Sequence, residues 1–138
     1  MLSHLTSPRF LSRVMWIDAA TCAATGVLQL GLTERLAPAT GLPAGLLLGT
    51  GWFLLVYALA AAAMAAQATP PRRLIGLVAI GNLSWAVACL VVLANGWFTP
   101  TAIGWGWVLL QAVTVVLLAV LQWMGLRATR AQALAPAL

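Results

Sequence analysis

Two acidic side chains, Asp18 and Glu34, and one histidine, His4, are the whole stock of carboxylates and imidazoles in this 138-residue sequence. Only Asp18 stands inside a long apolar run. An acid there costs about 2.5–3.5 kcal/mol on insertion scales, which makes it a functional suspect by default. It is expected either to bind a proton or cation, or to form a structural ion pair or cap-like lock with Arg13, Arg72 or Arg73 reaching in from the boundary. Tyr57, Asn82 and Gln111 supply one neutral polar group in each of three further apolar runs. Gathered around Asp18 they would be interhelical glue, at about 0.6 kcal/mol per contact. Equally, they would line a small ligand pocket, with Trp16 and Trp85 as flat walls and N–H donors. Gln29 and Gln122 fall near opposite ends of their runs and take no special role.

Other chemistries lack their parts. Cys22 and Cys89 stand alone with no CxxC, at depths that differ by about 10 Å, beyond the roughly 7 Å that a disulfide spans between Cα atoms. Both read as small packing residues. A single histidine outside the runs excludes haem ligated by paired histidines and His-rich metal sites, and no lysine is present for a Schiff base. There is no Ser/His/Asp set, Walker loop or GxGxxG, and Asp18 and Glu34 fall on opposite sides of the membrane. The expectation is a non-catalytic protein with no cofactor and no metal.

The elements that carry these residues follow from composition. Hydrophobic residues make up 63% of the chain and charged ones 7%, with mean hydropathy +1.01, far from the balance of soluble domains. Four apolar stretches, 14–32, 43–66, 74–94 and 101–126, are each close to the roughly 20 residues that cross a bilayer core. The fold expected is an all-α membrane protein. It is a four-transmembrane-helix bundle running up-down-up-down, one membrane domain over 1–138 with a tail at 127–138. At 1.5 Å per residue, Asp18 lies about 6 Å beyond Val14, near the boundary, and Asn82 about 12 Å inside its stretch. Tyr57 lies about 15 Å from Gln67, and Gln111 about 15 Å from Thr101.

Seven arginines, no lysine and two acids give a net charge of +5 and a sequence pI near 11.3. Position argues against nucleic acid. Arg9 and Arg13 precede the first stretch, Arg72 and Arg73 separate the second from the third, and Arg127 and Arg130 follow the fourth. With four spans these segments share one side, leaving only Arg35 on the other. Both termini are therefore expected in the cytoplasm, with the chain integral to the plasma (inner) membrane and the six arginines at anionic headgroups. Asp18 interrupts the first stretch early and the stretch runs on to Leu32, which suits an uncleaved span better than a secretory signal.

Turn chemistry marks the connections. The longest link is 33–41, containing Glu34, Arg35 and Pro38; Pro43 suits a first helical turn, and residues 68–71 end in Pro70-Pro71. Small residues suggest how helices associate: Ala19, Cys22, Ala23 and Gly26 in the first span, and a GxxxG pair, Gly45 and Gly49, in the second, expected to pack within the chain. A faint parallel repeat is also legible. Gly49-Thr50-Gly51-Trp52 with Gln67 is echoed by Gly104-Trp105-Gly106-Trp107 with Gln122, at the same spacing, and Arg9 with Asp18 by Arg73 with Asn82.

Trp16-Ile17-Asp18-Ala19, Asn82-x-x-Trp85, Pro100-Thr101-x-x-Gly104 with Gln111-Ala112, and Gln122-x-x-Gly125-Leu126-Arg127 resemble small bacterial four-span proteins described as hypothetical integral membrane proteins. The resemblance covers nearly the whole chain and implies no activity; it marks Asp18, Asn82, Trp85, Pro100, Gly104 and Gln111. A looser likeness to small multidrug-resistance transporters rests on size, four helices and one acid in the first, although their acid lies deeper and has different neighbours. Three functions follow as expectations. The first is an accessory or scaffold subunit whose partners are the lipid bilayer and another membrane protein or a second copy. The second is a small proton-coupled transporter using Asp18, and the third a lipid- or quinone-binding module using Trp16, Tyr57, Asn82 and Trp85.

Overall fold

The computed structural model describes residues 8–134, and side chains from 9 to 130; His4 and residues 135–138 lie outside them. Five helices follow one another: α1 Pro8–Gly31, α2 Thr33–Thr40, α3 Ala44–Ala65, α4 Arg72–Ala94 and α5 Ala102–Leu134, with no strand among the described residues. All but α2 are long and apolar enough to cross a membrane, at lengths of about 33–50 Å. Their outward faces are as apolar as their inward ones: Val56, Leu59 and Leu77 are 67%, 74% and 63% exposed. A soluble bundle would carry charges there.

Prolines and glycines cut the chain where backbone chemistry requires. Pro43 and Pro71 occupy the positions just before α3 and α4, since each lacks the N–H that a continuing helix would need and biases its predecessor away from helical angles. Gly41 closes α2 at φ 70°, donating its N–H to the Ala37 carbonyl at 2.9 Å. The segment 33–41, expected as a link, is therefore mostly helix. Glu34 lies in its first turn, where a carboxylate complements the helix dipole, and Pro38 sits inside the helix rather than ending it. The tail also differs from expectation: α5 continues past Leu126 to Leu134, because its alanines and arginines are strong helix formers.

α1 packs closely on α3 and α4 on α5, while α1 also meets α5. The α1–α3 contact is made at Gly26 and Gly51: a Cβ on Gly26 would stand 2.9 Å from the Gly51 carbonyl oxygen, and one on Gly51 3.0 Å from Leu30. Gly45 and Gly49, expected to pack within the chain, instead have open space around them. At one end Ser12 donates to the Ala65 carbonyl at 2.6 Å, and Arg72 to the Leu126 carbonyl at 2.6 Å. That is the arginine end. At the other, α2 is tied to the start of α5 through Thr101, whose N–H reaches the Thr40 carbonyl at 3.0 Å and whose hydroxyl reaches Ala39 at 2.5 Å. The echoing residues of the two halves sit in different surroundings, since Gln67 is exposed and Gln122 buried, and Gly49 is open where Gly104 abuts the Thr40 backbone.

Candidate functional site

Asp18 is fully buried, and each of the other three long helices sends one neutral donor to its carboxylate. The Tyr57 hydroxyl of α3 donates to Oδ2 at 2.8 Å, Asn82 Nδ2 of α4 at 3.1 Å, and Gln122 Nε2 of α5 at 2.7 Å. Cys22, one turn along α1 and so on the same face, points its thiol at Oδ1 at 3.5 Å. The donors are themselves joined, with Asn82 Nδ2 3.2 Å from Gln122 Oε1, and Gln122 Nε2 3.5 Å from Met15 Sδ.

All four neighbours can donate to an ionised carboxylate, which is acceptor-only. Removing a carboxylate from water costs several kcal/mol, and hydrogen bonds to charged groups return about 1.5–3 kcal/mol each. Three good ones are of the size needed. The expected ion pair with arginine is not formed. Arg13 and Arg73 are exposed, and Arg72 is engaged with Leu126 and Thr129.

Of the residues singled out in the sequence, Asp18, Tyr57 and Asn82 thus come together. Trp85 lies three positions beyond Asn82 on α4, its ring stacked on Phe53 of α3 at 5.5 Å and 7°. Trp16 is 49% exposed and is not among the residues that line the cleft or bond to Asp18. Gln111 is not a member either: it lines cavities elsewhere with Trp85 and Trp107. Its place is taken by Gln122, and Cys22 joins as a weak fifth member. Gln29 is buried as well, accepting from the Thr50 hydroxyl at 3.0 Å, a polar tie between α1 and α3.

Between α3 and α4 lies a cleft of about 590 Å³, walled by Phe53, Leu54, Met64, Leu77, Val78 and Trp85, with Tyr57 and Asn82 as polar lining. Ala60, Ala63 and Gly81 also line it, and their lack of bulk keeps the walls apart. Asp18 does not line the cleft, whereas Tyr57, Asn82 and Cys22 both line it and bond to Asp18. Two further hollows, of about 270 and 160 Å³, are each lined in part by Trp85, Trp107 and Gln111. Trp107 Nε1 is buried there with no acceptor. Among the described residues, no three histidine, cysteine or acidic side chains gather to hold a metal ion.

No protein-family model, curated protein or solved structure matches this chain.

Proposed function

We propose that this is a non-catalytic integral membrane protein that takes a lipophilic cation from the bilayer into the cleft between α3 and α4, with Asp18 as the buried countercharge. The observation that carries this reading is the double engagement of Tyr57 and Asn82, which hold Asp18 Oδ2 at 2.8 and 3.1 Å and also line the cleft. A buried carboxylate held by neutral donors keeps its net charge, and in a low-dielectric interior that charge acts over longer distances than in water. The cleft offers aromatic faces, Phe53 and Trp85, suited to a cation. Its opening lies between two apolar helices, as entry from lipid requires.

The chain lies in the plasma (inner) membrane of a bacterium, as a four-span up-down-up-down bundle with both termini in the cytoplasm. This orientation is supported by the six arginines gathered toward one end against Arg35 at the other. An Asp18 that released or captured a proton as the cation entered would make the protein a proton-coupled transporter. The accessory-subunit reading draws on a different fact: Asp18 is satisfied from within the chain, as a lock joining four helices would be.

Binding of tetraphenylphosphonium to the purified protein, followed by tryptophan fluorescence, separates these readings. Saturable binding that is lost in Asp18→Asn, with the helical fold retained, supports the cation site. Absence of binding in the parent protein, or equal binding in Asp18→Asn, refutes it and leaves the lock.

A further inference from the structure

At the arginine end, a cavity of about 630 Å³ lies between the start of α4 and the last turns of α5, lined by Arg72, Arg73, Arg127 and Arg130 with Trp123, Leu126 and Thr129. We propose that it is a binding site for a phosphate-bearing anion, with the headgroup of an anionic phospholipid as the occupant its walls suit best.

The four guanidinium groups divide into two roles. Arg72 donates to the Leu126 carbonyl at 2.6 Å and to the Thr129 hydroxyl, pinning α4 to α5, and Arg127 rests over Trp123 at 5.7 Å. These two shape the cavity. Arg73 and Arg130 are exposed and engage no hydrogen bond or ion pair among the described residues, so their planar forks remain available to oxygen atoms in the bidentate manner that suits phosphate.

No acid offsets this charge. The sequence has two acidic side chains; Asp18 is enclosed by its neutral donors, and Glu34 belongs to α2 at the opposite end. Four like charges around one hollow repel each other, and a bound anion relieves the repulsion. The cavity also meets the start of α4, whose first turn has no side-chain cap, adding the partial positive charge of a helix N-terminus. Trp123 and Leu126 supply an apolar wall beside the charges, as the junction between headgroup and acyl chain would require. Arg13 is at the same end and exposed but does not line the cavity, so general attraction to an anionic surface and a defined site make different predictions.

Native mass spectrometry of the detergent-solubilised protein with added phosphatidylglycerol or phosphatidylcholine tests this. Phosphatidylglycerol should be retained with one-to-one stoichiometry and phosphatidylcholine should not. The double variant Arg73→Gln/Arg130→Gln should bind roughly 30-fold more weakly, from about fivefold per arginine. Arg73→Lys/Arg130→Lys should recover part of the loss, and Arg13→Gln should change little. Competition by millimolar inorganic phosphate or glycerophosphate means that a free phosphate fills the same site; resistance to both means that the acyl chains beside Trp123 are needed. Either result supports the site. Equal retention of both lipids, or as great a loss in Arg13→Gln as in the double variant, overturns it.

Discussion

The hydroxyl of Tyr57 donates to Asp18 Oδ2 at 2.8 Å while the same side chain lines the cleft between α3 and α4. Asn82 shares both roles from the opposite wall at 3.1 Å. With Cys22, whose thiol stands 3.5 Å from Oδ1 and which also lines the cleft, three groups bonded to the only carboxylate among the spans face the cleft. Anything entering the cleft meets the charge through them.

Tyr57→Phe keeps the ring and removes that hydrogen bond. Loss of a bond to a charged group is worth about 1.5–3 kcal/mol, and the variant should unfold earlier by that amount in a denaturant titration in detergent. It should also bind tetraphenylphosphonium more weakly, because the carboxylate is held less firmly behind the cleft wall. Unchanged stability would show that the hydroxyl is not bonded to Asp18.

Gln122 and Gln111 are chemically identical on the same helix, and the structure gives them opposite consequences. Gln122→Ala removes the donor 2.7 Å from Asp18 and one of the two acceptors of Asn82, and losing a hydrogen bond to a charged group costs about 1.5–3 kcal/mol. Gln111→Ala removes a half-buried amide with no hydrogen bond, and should stay within about 0.5 kcal/mol of the parent. Thermal unfolding of the two variants side by side measures the contrast. Equal losses would mean that the cluster does not depend on Gln122.

This contrast also shows what the sequence made legible. Four long apolar helices and the suspicion on Asp18, Tyr57 and Asn82 follow from hydropathy and from the cost of burying polar groups. The fourth partner was legible too, had depth been counted from one boundary. Asp18 is four residues from Val14 and Gln122 four from Leu126, so both lie about 6 Å from the same face, whereas Gln111 counted from Leu126 is about 22 Å away. Counting Gln111 from Thr101 concealed this. α2 was obscured because Pro38 and Gly41 read as punctuation, and an eight-residue helix is too short for an apolar span to reveal. The orphaned Trp107 and the cleft arise from how helices diverge, a tertiary property that helix-by-helix reading does not reach.

Close packing of α1 on α3 at Gly26 gives a further test. Gly26→Ala sets a methyl 2.9 Å from the Gly51 carbonyl oxygen, a backbone atom that cannot move aside cheaply, and overpacking of this kind costs about 1–3 kcal/mol. Gly49→Ala has open space and gains helix propensity, by about 0.5–1 kcal/mol. The two substitutions should therefore shift the unfolding midpoint in opposite directions. Destabilisation by Gly49→Ala alone would mean that the GxxxG face is covered, by a second copy or a partner chain.

Trp107 supplies the last test, because its Nε1 is buried without an acceptor. An unpaired buried donor costs about 1–3 kcal/mol, and Trp107→Phe removes it while surrendering part of the ring's packing. The two terms oppose each other, so the variant should fall within about 1 kcal/mol of the parent. A well-bonded buried tryptophan would give a clear loss instead. Such a loss in the unfolding curve would show that the indole N–H already has a partner, an ordered water or a lipid oxygen held in the hollow beside Gln111 and Trp85.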